Sequence, residues 1–123
     1  FCAHITRETG CPIHLYDISD SRQLERSLSE SALLTNATSV GMAPDTEHSP
    51  LPDSSMLHSG LVVSDIIYHP RETKLLRQAR QAGCKCFNGM YMLLFQGAAS
   101  FRYWTDQDMP IDVIREKYFN DSL

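Results

Sequence analysis

The run Leu61-Val62-Val63-Ser64-Asp65-Ile66-Ile67-Tyr68 constrains this chain more than any other stretch. It is β-branched and nearly unbroken by polar residues, the pattern of a parallel strand covered on both faces. Pro70 closes it. Parallel neighbours need crossover connections of about a dozen residues or more, and the flanking sequence supplies them. Arg71 to Ala82 has helix-forming composition, with Leu75, Leu76 and Ala79 on one stripe and Gly83 as a stop. Cys84-Lys85-Cys86-Phe87 follows as a short strand, and Ala32-Leu33-Leu34-Thr35-Asn36 precedes as another. Ile13-His14-Leu15-Tyr16 is apolar and aromatic enough to be read as a further strand. Ser19 or Asp20 caps a helix that carries Leu24 and Leu28 on one face.

The ends of the chain read as helical. Phe1-Cys2-Ala3-His4-Ile5 reads as the last turns of a helix already under way, so a preceding segment is expected; Gly10 ends it and Pro12 prevents its return. Gly41 to Pro52 is a Gly/Pro/Ser-rich connection. After Gly89 a long apolar helix runs from about Met90 to Trp104, and Pro110 opens an amphipathic helix to about Phe119. Strands alternating with helices at this spacing give an α/β fold, a partial Rossmann-like parallel sheet of about four strands with a C-terminal helical segment. Such a sheet has open sides, which a second chain, as in a homodimer, would cover.

Composition removes several function classes. The 123 residues suffice for one domain, and with 42% hydrophobic and 21% charged residues the chain falls among globular proteins. Eleven basic against fifteen acidic residues give a net charge of −4, without the basic excess that neutralising phosphates requires. No nucleic-acid partner is expected. No run approaches the roughly 20 apolar residues of a membrane span, and no secretory signal opens the chain, so no membrane partner and a cytoplasmic location are expected. Cys2, Cys11, Cys84 and Cys86 fit neither a disulfide scaffold nor a zinc site; Cys84-Lys85-Cys86 has the wrong spacing and no neighbouring ligands. The sequons Asn36-Ala37-Thr38 and Asn120-Asp121-Ser122 read as chance matches.

In open parallel sheets ligands bind beyond the carboxyl ends of the strands, and three stretches there carry candidate chemistry. Asn36-Ala37-Thr38-Ser39-Val40-Gly41-Met42 offers small side chains and backbone amides suited to a flat ligand, or is a plain turn-rich loop. Tyr68 brings a phenol to the same edge, either as a ligand contact or as a strand-end aromatic with its hydroxyl in water, and Asp65 lies three residues earlier on the opposite side of the pleat. Asn88-Gly89 opens the long helix, whose free N–H groups favour a polar or anionic group. Gln96, strongly polar on an apolar stretch, is either a satisfied core amide or a ligand contact.

Taken together and in this order, these stretches resemble the shikimate/quinate dehydrogenase family. The match runs through Asn36 to Met42, Ser49-Pro50-Leu51-Pro52, Asp65-Ile66-Ile67-Tyr68-His69-Pro70 with Glu72-Thr73, Asn88-Gly89 with Met92-Leu93, Gln96-Gly97-Ala98 and Trp104-Thr105, from about Thr35 to Phe119. The chain is similar to the later part of that family's NAD(P)-binding domain with its C-terminal helices from about residue 89.

The resemblance implies NAD or NADP as cofactor and a shikimate- or quinate-type substrate. Thr38 and Ser39 would border the cofactor ribose, Ile66 and Gly89 would line the nicotinamide through backbone groups, and Met92 would pack near it. Tyr68 and Gln96 would hydrogen-bond the hydroxylated ring of the substrate. Two positions depart from the family: Tyr91 stands where Gly is usual, so that a ring is expected to crowd the helix N-terminus, and His69 stands where Asn is commoner. The family's catalytic Lys and Asp, its substrate-carboxylate loop and its Gly-rich phosphate turn have no counterpart here. No G-x-G-x-x-G occurs, and Asp17 reads as a loop or cap carboxylate rather than a ribose ligand. These residues alone are therefore expected to be inactive. An alternative from another class is a non-catalytic dinucleotide- or metabolite-binding sensor on the same scaffold, with Tyr91 as its main support.

Overall fold

The computed structural model describes residues 1–119, so the sequon at Asn120 lies outside the described residues. Helices α1 (Cys2–Thr9) and α2 (Ser21–Ser29) precede strand β1 (Leu33–Asn36). Strand β2 (Val62–Asp65), helix α3 (Lys74–Gln81) and strand β3 (Lys85–Phe87) follow, and helices α4 (Met90–Thr105) and α5 (Ile111–Tyr118) complete the order. The sheet is parallel with order β1-β2-β3, Leu33 opposite Val62, Asn36 opposite Asp65, and Ser64 opposite Phe87.

Local chemistry sets most boundaries. Gly10 ends α1 in the left-handed conformation with its N–H on the Thr6 carbonyl, as expected of a C-cap glycine. Asp20, rather than Ser19, caps α2 by accepting from the Arg22 and Gln23 amides at 3.1 Å each. The Thr73 hydroxyl does the same for α3 through the Leu76 amide. Leu75, Leu76 and Ala79 of α3 enter one core with Leu28, Leu51, Leu57, Leu61, Val63 and Cys84.

One fold expectation is corrected. Among the described residues the sheet has three strands, because Ile13-His14-Leu15-Tyr16 forms none. Leu15 is 86% exposed and the run pairs with no strand. Strand propensity without a ladder partner and without burial leaves backbone groups better served by water. Cover of the sheet is uneven across its strands. Register puts Leu34, Val63 and Cys86 on one face, against the core, and Leu33, Val62 and Phe87 on the other. Leu33 is 56% and Phe87 51% exposed. On that second face Ser64 is buried and Val62 half-buried, so β2 itself is covered on both sides as its composition predicts, while the flanking strands expose Leu33 and Phe87.

Candidate functional site

The carboxyl ends of β1 and β2, with the first turn of α4, enclose an open pocket of about 660 Å³. Ala37, Thr38, Ser39, Met42 and Ala43 form one wall, Ile66, Ile67, Tyr68 and His69 the other, and Met92 of α4 reaches in from the side. The walls are mainly apolar, with the hydroxyls of Thr38, Ser39 and Tyr68 as polar points. A flat ring with a hydroxylated appendage suits such a surface. The Ala43–Pro44 and His69–Pro70 bonds at its rim are both cis.

The first wall is shaped by its own side chains. The Asn36 Oδ1 accepts from the Thr38 amide at 3.1 Å and from the Thr38 hydroxyl at 2.7 Å, and the Thr38 Oγ1 in turn accepts from the Val40 amide at 3.1 Å. These local bonds are what Asn and Thr provide in turns. Against the second wall lies a very close backbone approach. Gly89 donates its N–H to the Ile67 carbonyl at 3.0 Å. A Cβ at residue 89 would overlap the Ile66 carbonyl oxygen and sit 2.5 Å from its carbon. Glycine is required there for closeness, not for dihedral angle, since its φ is −77°.

Of the residues singled out in the sequence, the pocket brings together Thr38, Ser39, Ile66, Met92 and Tyr68. Gly89 sits beside them, buried against Ile66. Gln96 is exposed on α4 and does not line the pocket, so the core-amide reading of that side chain is set aside. Tyr91 does not crowd the pocket either; its ring stacks on Phe95 at 6.3 Å and tilts onto Phe119 at 6.0 Å. The N-terminus of α4 is partly spoken for: Asn88 Oδ1 accepts from the Met90 amide at 3.1 Å while its Nδ2 donates to the Arg71 carbonyl. Asp17 closes a turn by accepting from the Ser19 amide and hydroxyl, which lower its pKa.

One residue's part in the site went unread in the sequence. Asp65 is completely buried, and its carboxylate accepts from Asn36 Nδ2 at 3.1 Å, the Ile67 amide at 3.0 Å and the Thr73 hydroxyl at 2.7 Å. The signal was present: an acidic residue inside an apolar strand needs donors to compensate its burial.

Residues 89–117 match the family model for the shikimate 5'-dehydrogenase C-terminal domain. The shikimate dehydrogenase (NADP(+)) of Listeria monocytogenes is 44% identical over 115 residues, covering 94% of this chain and 40% of the relative. Over 94% of its length the chain is similar to shikimate/quinate dehydrogenases. A quinate/shikimate dehydrogenase of Escherichia coli is 40% identical over 116 residues, again 94% of this chain and 40% of the relative. The crystal structure of the Listeria monocytogenes shikimate 5-dehydrogenase in complex with shikimate and NAD superposes with a TM-score of 0.86 at 43% identity, covering 94% of this chain and 40% of that one. The chain thus spans about 40% of the length of these shikimate/quinate dehydrogenase relatives.

Proposed function

We propose that the protein carrying this chain is an NAD- or NADP-dependent dehydrogenase that oxidises a ring hydroxyl of a shikimate- or quinate-type acid. Residues 1–123 serve as the later part of its dinucleotide-binding domain, with the helices from about residue 89 completing it. The observation that carries the reading is the pocket itself, where five residues of the family pattern (Thr38, Ser39, Ile66, Met92 and Tyr68) converge from three separate stretches of sequence.

The residues present fit a nicotinamide. Ile66, Ile67, Met42 and Met92 offer an apolar surface for a flat ring, and the Gly89–Ile66 approach keeps that surface free of side-chain bulk. When bound, the dinucleotide supplies the hydride acceptor. Thr38 and Ser39 stand where a ribose would be bordered. Tyr68 offers its phenol to the substrate ring, and Gln96, on the exposed face of α4, is a second donor and acceptor toward it. The contribution of this chain is positional: it holds one reactant against a rigid wall so that the other meets it in a fixed geometry. A proton acceptor for the substrate hydroxyl comes from elsewhere in the protein, since none of Lys74, Lys85 and Lys117 lines the pocket. The sensor reading loses its main support, because the Tyr91 ring packs on Phe95 and Phe119. Among the described residues no helix is long and apolar enough to cross a membrane.

The test is formation of reduced nicotinamide with shikimate and with quinate, each offered NAD+ and NADP+, comparing the full-length protein with residues 1–123 alone. Turnover by the full-length protein and none by the isolated chain is expected. A full-length protein inert toward both acids with both dinucleotides overturns the reading.

A further inference from the structure

We infer that Asp65 is a positioning residue for the dinucleotide pocket: one buried carboxylate at the end of β2 ties down both pocket walls. The inference rests on the reading of that pocket given above. Burying a carboxylate is costly unless donors surround it, and the donors here lead in specific directions. On one side Asp65 Oδ1 receives Asn36 Nδ2 at 3.1 Å. That bond fixes which way the Asn36 amide faces, because the opposite orientation would set Oδ1 against a carboxylate and Nδ2 against the Thr38 N–H. With Nδ2 committed to Asp65, Asn36 Oδ1 is left to hold the Thr38 amide and hydroxyl, and Thr38 lines the pocket. On the other side the same Oδ1 receives the Ile67 amide at 3.0 Å, and the peptide so held joins Ile66 to Ile67, both on the second wall. The third bond, from Thr73 Oγ1 to Oδ2 at 2.7 Å, runs to the cap of α3, and Thr73 does not line the pocket.

This branching separates positioning from mere stabilisation. Thr73→Val cuts the branch to α3, while Asn36→Ala cuts the branch to the Thr38 wall and Asp65→Ala cuts these two and the branch to the Ile67 amide. A pocket wall that samples other shapes binds its ligand more weakly in proportion to the lost competent fraction. The experiment measures Kd for NAD+ and NADP+ by calorimetric titration of the full-length protein, alongside the thermal midpoint of each variant. Asn36→Ala and Asp65→Ala are expected to raise Kd about tenfold, the size of effect that loss of a buried hydrogen bond produces. Thr73→Val is expected to lower the midpoint while Kd stays within about twofold of the parent, as loss of a buried bond away from the ligand would. If Asp65→Ala fails to fold, the contrast between Asn36→Ala and Thr73→Val decides. Unchanged Kd in Asn36→Ala, or an equal rise in Thr73→Val, overturns the inference while the dinucleotide reading stands. A parent protein that binds neither NAD+ nor NADP+ defeats the reading and the inference together.

Discussion

Replacing Gly89 by alanine adds one methyl group at a place where the backbone between β3 and α4 has already met that of Ile66, the residue after β2. The new Cβ would overlap the Ile66 carbonyl oxygen and lie 2.5 Å from its carbon, where ordinary contacts begin at 3.4 Å, so the two segments must part by at least about 0.9 Å to clear the carbon and by more to clear the oxygen. Neither partner is a flexible side chain that could step aside. Parting them stretches the bond from the Gly89 amide to the Ile67 carbonyl, now 3.0 Å. Overpacking of this kind costs about 3 kcal/mol at the upper end of its usual range, and a weakened buried hydrogen bond adds about 1 kcal/mol. Gly97, within α4, supplies the control. A Cβ there meets nothing within 4 Å, so Gly97→Ala is expected to stabilise by about 1 kcal/mol through helix propensity alone. Urea denaturation followed by far-ultraviolet circular dichroism reads both variants in one assay, as opposite shifts of the midpoint at constant slope. A Gly89→Ala protein as stable as the parent would show that this approach is not a constraint, and the argument for why glycine stands there would fall.

Other outcomes follow from the same physics. Leu76→Ala, at a side chain with 0% exposure between α3 and the sheet, should cost about 2–5 kcal/mol by leaving a cavity, read from the same denaturation curves; a loss under 1 kcal/mol on that scale would mean the core closes over the site. Cysteine reactivity should split by environment. Cys84 is buried with its Sγ on the His58 carbonyl at 3.2 Å, and burial, seconded by Cys86, pushes its thiol pKa up. A raised pKa means less thiolate at any pH below it. Cys11, which is exposed, should therefore be alkylated first by iodoacetamide at neutral pH, with Cys84 protected until denaturant is added. Mass mapping of the alkylated residues checks this, and equal rates in the native protein would refute it.

Much of the fold was legible because its signals are local. Helix caps at Gly10 and Asp20 and the stripe Leu75, Leu76, Ala79 are settled by a few neighbouring residues, and the structure keeps them. The strand cores at Leu33–Asn36, Val62–Asp65 and Lys85–Phe87 were legible for the same reason, from short β-branched or apolar runs between punctuating residues. Ile13 to Tyr16 shows where that logic stops. Its propensity is as good as that of β1, yet a strand exists only where another strand offers a ladder, and pairing is a fact about residues far apart in sequence.

The sequence by itself determined the element types, the parallel crossover arrangement and the residue kinds gathered at the strand ends. Tertiary structure alone decided which of them meet. It set Thr38, Ile66, Tyr68 and Met92 around one pocket and left Gln96 outside its lining. It turned Tyr91 onto Phe119 and placed Gly89 against Ile66. It also joined Asp65 to Asn36 and Thr73, partners 29 and 8 positions away. Periodicity and capping act over one or two turns of chain, whereas a buried carboxylate finds its donors only after the strands have docked, so its role is written in space rather than in order.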